Sequence, residues 1–394
     1  MKHHHLIKIT QFFFFTIIVV FILGEIGTQI YIRYFANYEN FIKFASIHQL
    51  VKKLESTEED LQVKVHPYLG YALKENFKRG KNCHNSMGFR GKELTPKKEG
   101  EIWIACIGGS TTYDDEIEDW EKAYPAQLEN ILQNQGYKVQ VINAGTPGWT
   151  SWEIVVDYLF RLSYLPIDIL IYYEASNELS ARIVYPPSAY KPDNTGTRSG
   201  LPGIFKIPIW EESALIRMIL ISTGYTLPHL SILRIFDRPA YTNYALDFGQ
   251  QNFNGNYPDG IFKTVSLEEI LQANPPIYFE QNLKHLVLLA KNKGVQPVLV
   301  SFALDHSPNA LKRLYGVGDD KPELVKTIFA AYDEMNDVTK EVATESGTPF
   351  FNFAQEYPND PTLYVDSLHN NEEGARLKAQ MFADFLIHSG LLSK

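Results

Sequence analysis

Cysteine is scarce, with two residues, Cys83 and Cys106, in a chain of 394. That excludes a disulfide scaffold and any cysteine-based zinc site, and leaves open one bridge between the two. Basic character is low too. The net charge is −9, with no basic run and no basic stripe with interleaved aromatics, which argues against a nucleic-acid partner. Neither G-x-x-x-x-G-K-[ST] nor a G-x-G-x-x-G after the first predicted strand occurs, so no phosphate cradle is indicated. No His, Cys, Asp or Glu cluster has metal-ligand spacing, and neither a metal nor a cofactor is called for. Internal repeats are absent, and a phenylalanine run near the N-terminus is the sole low-complexity tract. What remains is ordinary for a folded chain, 45% hydrophobic and 21% charged, and long enough for one large domain or two modest ones. Nothing in the sequence fixes an oligomeric state.

The N-terminus carries the one long apolar stretch. "ITQFFFFTIIVVFILG", Ile9 to Gly24, has no charge, and "EIGTQIYI" continues it to Ile32 before Arg33. A spanning helix needs about 20 apolar residues, so the stretch suffices when it runs on through Glu25, near the outer interface. We expect a signal anchor over residues 1–35 that contacts membrane through 9–32. A cleaved signal peptide is the competing reading, but no A-x-A-like site and no lipobox cysteine follow. Lys2 and Lys8 favour a cytoplasmic N-terminus and an exported body, periplasmic or extracellular.

Residues 36–100 read as a leader packing on the main domain. "FIKFASIHQLVKKLES" (Phe41 to Ser56) suggests a short amphipathic helix, and "HPYLGYALKENF" and "NSMGFRG" suggest extended segments punctuated by Gly and Pro. From Glu101 strands and helices alternate. "EIWIACI" is a strand, "YPAQLENILQNQG" a helix with Pro125 in its first turn, "KVQVIN" a strand, "TSWEIVVDYLFRLSYL" a helix and "DILIYY" a strand. After an interruption at about 181–275 come "NLKHLVLLAKNKG" (helix), "QPVLVSF" (strand), a long helix ending at Gly347, "PFFNFA" (strand) and a C-terminal amphipathic helix. The order implies α/β architecture, a five-stranded parallel sheet with helices on both faces, over 101–394. Within the interruption, "ALIRMILISTGYTLPHLSILRIF" (Ala214 to Phe236) is apolar. It fits a lid helix, a second membrane-contacting element or, most commonly for such segments, packing on the main body. Arg217 and its Gly and Pro breaks argue against a second span.

Ligands of such sheets bind beyond the carboxyl ends of the strands. Four segments fall there: Gly108-Gly109-Ser110, Asn143 to Ser151, Glu174 to Glu178, and Asp366 to His369. Their chemistry is complementary. A serine hydroxyl needs a base to become a nucleophile, His369 can serve, and Asp366 can orient it. The backbone N–H groups of Ser110 and Gly148 and the side-chain amide of Asn177 could receive an oxyanion. Taken singly, Gly-Gly-Ser is more often a turn, Gly148 a turn glycine and Asn177 a helix cap. Their order after successive strands makes coincidence a poor account. Asp305-His306, after the fourth strand, is a second Asp/His pair, read as a loop pair and a substrate contact at most.

These blocks resemble the SGNH/GDSL hydrolases, flavodoxin-like esterases, lipases and carbohydrate deacetylases. "IGGSTTY" is similar to their first block in the Gly-Gly-Ser-Thr-Thr form of membrane-anchored bacterial members, "NAGTPGWTS" to the second, "EASNEL" to the third and "DSLHNNEEG" to the fifth. The leader is similar to one common in those members, and the insertion has no counterpart. The resemblance implies a serine esterase acting on an O-acyl group of an envelope glycan or lipid. Catalytic Ser110, Asp366 and His369 would work with an oxyanion hole from Ser110, Gly148 and Asn177. An O-acyltransferase using the same site, and a non-catalytic glycan-binding or assembly protein on the same scaffold, are the alternatives. Two departures stand beside the hole: Ala175 where the family has Gly, and Glu178 where it has Asp. Both are expected to shift donor placement.

Overall fold

The computed structural model describes residues 2–46, 48–50, 62–66, 69–185, 187–193, 209–226, 242–243, 265–307 and 310–392. The chain divides into two units, one comprising 1–60 with 198–237, the other 61–197 with 238–394. Both cysteines are free, so the bridge left open by the sequence is not formed.

The larger unit is built on five parallel strands. They are β1 (Ile102–Gly108), β2 (Val139–Gly145), β3 (Ile169–Tyr173), β4 (Gln296–Val300) and β5 (Phe350–Phe351), in the order β5-β4-β3-β1-β2. This is the flavodoxin-like order, with its switch point between β1 and β3. β3 is buried at all five positions and β1 at six of seven, the pattern of parallel strands covered on both faces. The first helices are α1 (Ser110–Tyr113), α2 (Tyr124–Asn134), α3 (Ser151–Phe160) and α4 (Ser176–Arg182). Then come α5 (Ile277–Asn292), α6 (Pro322–Ser346) and α7 (Glu372–His388). α2 packs on α7, while α5 packs on both α3 and α6. Local chemistry sets their ends. Pro125 lies in the first turn of α2, Thr150 and Glu153 form a capping box on α3, and Gly347 closes α6 in the left-handed region.

β5 is shorter than the expected "PFFNFA". It is an edge strand paired with β4 alone, and a helical turn, Phe353–Glu356, begins right after Asn352. Ser301 Oγ accepts the Ala354 N–H at 2.9 Å and fixes that turn. The excursion after α4 has its ends tied together. Asn274 Nδ2 donates to Arg182 O at 2.7 Å and Val184 O at 2.9 Å, and Arg182 Nε donates to Asn274 O at 2.8 Å.

The leader expected over 36–100 is divided between the units. Residues from 61 onward belong with the sheet, in two hairpins, Val63–His66 with Gly70–Leu73 and Lys78–Arg79 with Asn82–Cys83. Residues up to 60 belong to the smaller unit. There the expected helix from Phe41 is seen as Tyr38–Phe44, capped by Asn37 and ending where Ala45 turns extended, and its predicted continuation over 51–56 lies outside the described residues. A long apolar helix, Lys2–Ile30, opens the chain and runs on through a π-helical turn, Tyr31–Phe35. Its segment Lys8–Phe35 is long and apolar enough to cross a membrane. The Ala214–Ser222 helix packs on it. Within the smaller unit its partners include Ile32 and Phe44. The reason is chemical. The helix offers the N-terminal segment an apolar face and a set of open N–H donors that Glu25 can accept. Residues 227–236 of the predicted element lie outside the described residues.

Candidate active site

The chain leaves β1 through Gly109 and enters α1 at Ser110. A Cβ on Gly109 would lie 2.2 Å from Glu174 Oε2 and 2.5 Å from Asn177 Nδ2. Only glycine lets the turns after β1 and β3 approach so closely. Ser110 is half-buried, and its N–H, at the first helical position, is one that a helix leaves without an intrahelical acceptor.

Ser110 Oγ lies 2.7 Å from His369 Nε2, across 259 positions of sequence. His369 Nδ1 lies 2.8 Å from Asp366 Oδ2. An ionised carboxylate only accepts, so Nδ1 carries the proton, and Nε2 is the acceptor that faces the serine hydroxyl. Asp366 Oδ1 accepts the N–H groups of Leu368 and His369, each at 2.8 Å. One side chain thereby shapes the turn and orients the ring. Burial alone would raise the Asp366 pKa, but the hydrogen bond and charge of His369 and the two backbone donors hold it below the usual carboxylate value. Burial would likewise lower the His369 pKa, yet Asp366, helped by Glu116 and Asp115, raises it above 6.5. Glu116 is exposed, and its carboxylate lies within 4.8 Å of the ligand atoms of Asp366 and His369.

Asn177 sits in the first turn of α4. Its Nδ2 donates to Trp149 O at 2.9 Å, which ties the turn after β3 to the turn after β2 and leaves the amide its second N–H. Gly148 takes φ +79°, and a Cβ there would lie 2.5 Å from the Tyr71 hydroxyl. That hydroxyl donates to Pro147 O at 2.5 Å. A leader hairpin thus braces the turn. The two departures are accommodated. Ala175 has a negative φ, −154°, so it does not need the left-handed conformation that favours glycine. Glu178 uses its added length to accept the N–H of Ser151 at the start of α3.

Three buried charged groups escaped the sequence reading. Glu174 is 1% exposed, and accepts the N–H of Gly109 at 2.9 Å, the N–H of Asn177 at 2.7 Å and the Ser176 hydroxyl at 3.2 Å. Burial pushes its pKa up to about 7, against those hydrogen bonds and with help from the Glu178 charge. Lys378 is fully buried, donates to Thr111 O at 2.7 Å, and lies 4.1 Å from the ring centres of Tyr124 and Tyr173. Burial lowers its pKa to about 8, although Asp114 opposes the change. A signal existed for it, because Lys378 falls on the apolar face of α7 with Ala375, Ala379 and Phe382. Arg90, from the "NSMGFRG" segment, is 5% exposed. Its guanidinium donates to the carbonyls of Tyr113 at 2.5 Å and Asp114 at 2.8 Å, and also to Ile117 O, while Nε donates to Asn82 Oδ1 at 3.0 Å. The loop that follows the nucleophile turn is therefore held from the leader.

Asp305 and His306 do not pair with each other. Asp305 accepts the N–H and hydroxyl of Ser307, both at 2.8 Å, and His306 stacks on Phe329 with ring centres 4.5 Å apart.

No family model matches the sequence, and no curated protein does. Among solved structures, the chain is similar to a lipase/acylhydrolase from Enterococcus faecalis, at 13% identity and a TM-score of 0.41, over 74% of this chain and 97% of that one. It is similar to Axe2, an acetylxylan esterase from Geobacillus stearothermophilus, at 15% identity and 0.39, over 72% and 94%. An α/β-hydrolase enzyme from the metagenome of Lake Arreo matches at 14% identity and 0.39, over 74% and 97%.

Proposed function

We propose that the chain is an SGNH-type serine esterase that removes an O-acyl group from an envelope glycan or lipid. Its body would be exported and held at the membrane through residues 9–32. One observation carries the reading: the hydrogen-bonded series Asp366–His369–Ser110 stands at the switch point of the sheet. In this reading Ser110 Oγ attacks the acyl carbonyl as His369 Nε2 takes its proton. The tetrahedral oxyanion would be received by the N–H groups of Ser110 and Gly148 and by the Asn177 amide. His369 returns the proton to the departing alkoxide, leaving an acyl ester on Ser110. Water, deprotonated by His369, then attacks that ester, and His369 returns the proton to Ser110 Oγ as the carboxylic acid leaves.

The test uses the full-length chain in detergent with a fluorophosphonate and a chromogenic acetate ester. A single adduct on Ser110, lost in His369→Ala, together with release of acetate, is the expected result. A folded protein that neither labels nor turns over overturns the proposal and leaves the binding alternative. Label without hydrolysis, with acyl transfer to an added sugar, reassigns the site to transfer.

A further inference from the structure

Around the Ala214–Ser222 helix the smaller unit buries charged groups and exposes aliphatic ones. In the Ala214–Ser222 helix, "ALIRMILIS", Arg217 is the only charged residue, and it is 1% exposed, whereas Ile219 is 51% exposed. Arg217 Nε donates to Phe44 O at 2.9 Å, and Nη1 donates to Glu211 O. Glu211 is 0% exposed as well, and a half-buried third charge, Glu25, comes from the long apolar helix. It accepts the N–H groups of Ala214 and Leu215, each at 2.9 Å, and the Ser213 hydroxyl at 2.7 Å. A carboxylate at a helix N-terminus satisfies donors the helix cannot satisfy itself. Contact is close enough that a Cβ on Gly24 would lie 2.8 Å from Leu215 Cδ2. Outward stand Leu23 at 64%, Ile26 at 51% and Ile30 at 45% exposure, along with Tyr34 at 70% and Tyr225 at 80%.

Water rewards the opposite arrangement, charges out and aliphatics in. Charges turned inward onto backbone partners, with aliphatics and tyrosines outward, are what a bilayer and its interface select. The helix that Ala214–Ser222 packs on is long and apolar enough to span.

We propose that the Ala214–Ser222 helix is a second lipid-contacting element, clamped to the anchor by Glu25 and lying at the outer membrane interface with Ile219 toward the acyl chains. The proposal rests on the anchor reading of residues 9–32, and the test separates the two. Full-length protein carrying Cys83→Ser and Ile219→Cys is labelled with an environment-sensitive fluorophore. It is then reconstituted in vesicles of phosphatidylethanolamine and phosphatidylglycerol. Val20→Cys reports on the anchor and Lys138→Cys on the water-exposed body. Loss of most of the Ile219→Cys emission to lipids bearing a nitroxide high on the acyl chain, with little loss to aqueous iodide, is expected. Quenching by iodide alone overturns the proposal, as does protection from both quenchers, which would mean that protein covers the face. If Val20→Cys also escapes the lipid quencher, the anchor reading itself has failed. Adding Glu25→Ala should reduce lipid quenching at position 219 and spare it at position 20, and unchanged quenching at 219 overturns the clamp.

Discussion

Two Asp/His pairs stand at the carboxyl edge of the same sheet, and they behave differently. In Asp366 and His369 the two intervening residues turn the chain, so the carboxylate accepts two backbone N–H groups and the ring of its own histidine. The far ring nitrogen then meets a serine. Asp305 and His306 are adjacent, and the carboxylate turns instead to Ser307 while the ring stacks on Phe329 beside a cavity of about 230 Å³. The residue types are identical. What equips one pair for the proposed proton relay and leaves the other a loop fastening is an orienting acceptor on one ring nitrogen and a hydroxyl on the other.

The comparison breaks first at His369. His369→Ala should lower kcat for ester hydrolysis about 10⁶-fold, as loss of a member of a coupled relay does, with the circular dichroism spectrum unchanged. Asp366→Asn should cost about 10⁴-fold in the same assay, because an amide can present its N–H to the ring and favour the wrong tautomer. A loss under tenfold would mean that Asp366 only shapes the turn. A smaller effect concerns pH. The base must be neutral, so kcat/KM should fall as pH drops through the His369 pKa, which is raised above 6.5. Glu174 is neutral below its pKa of about 7 and charged above it. Its ionisation beside the oxyanion donors should pull activity down on the alkaline side. Glu174→Gln should cost roughly tenfold in kcat, the worth of about one well-placed hydrogen bond, and abolish that alkaline decline. A pH profile unchanged in shape would confine Glu174 to packing. The smallest effect belongs to the other pair. His306→Ala should alter kcat by less than about twofold, since surface loop changes away from special features stay within about 0.5 kcal/mol. A large loss there would erase the contrast.

The sheet was legible because β1 and β3 are apolar runs bounded by glycine, proline and acidic residues, and because Pro125 and Gly347 mark helix ends. The four site segments were legible as residue types following strands, a signal that topology makes spatial. Glu174 was not, since nothing local distinguishes a carboxylate buried at 1% exposure from one facing solvent after a strand. Nor was the role of Arg90, because its acceptors are main-chain carbonyls, which carry no sequence identity. The partner of the Ala214–Ser222 helix was not legible for a related reason. The helix is apolar nearly all round, so periodicity names no partner, and the residue that holds it, Glu25, lies 189 positions from Ala214.

Arg90 bears on the order in which the molecule can be assembled. A chain shortened to begin at Glu101 would retain all five strands, Ser110 and His369. It would lack the guanidinium that Tyr113, Asp114 and Ile117 address with their carbonyls. Buried acceptors without donors cost roughly 1–3 kcal/mol each, so such a fragment should be poorly folded around its nucleophile turn. During synthesis the problem does not arise. The arginine leaves the ribosome ahead of the loop it will hold, and those carbonyls emerge into the presence of their partner.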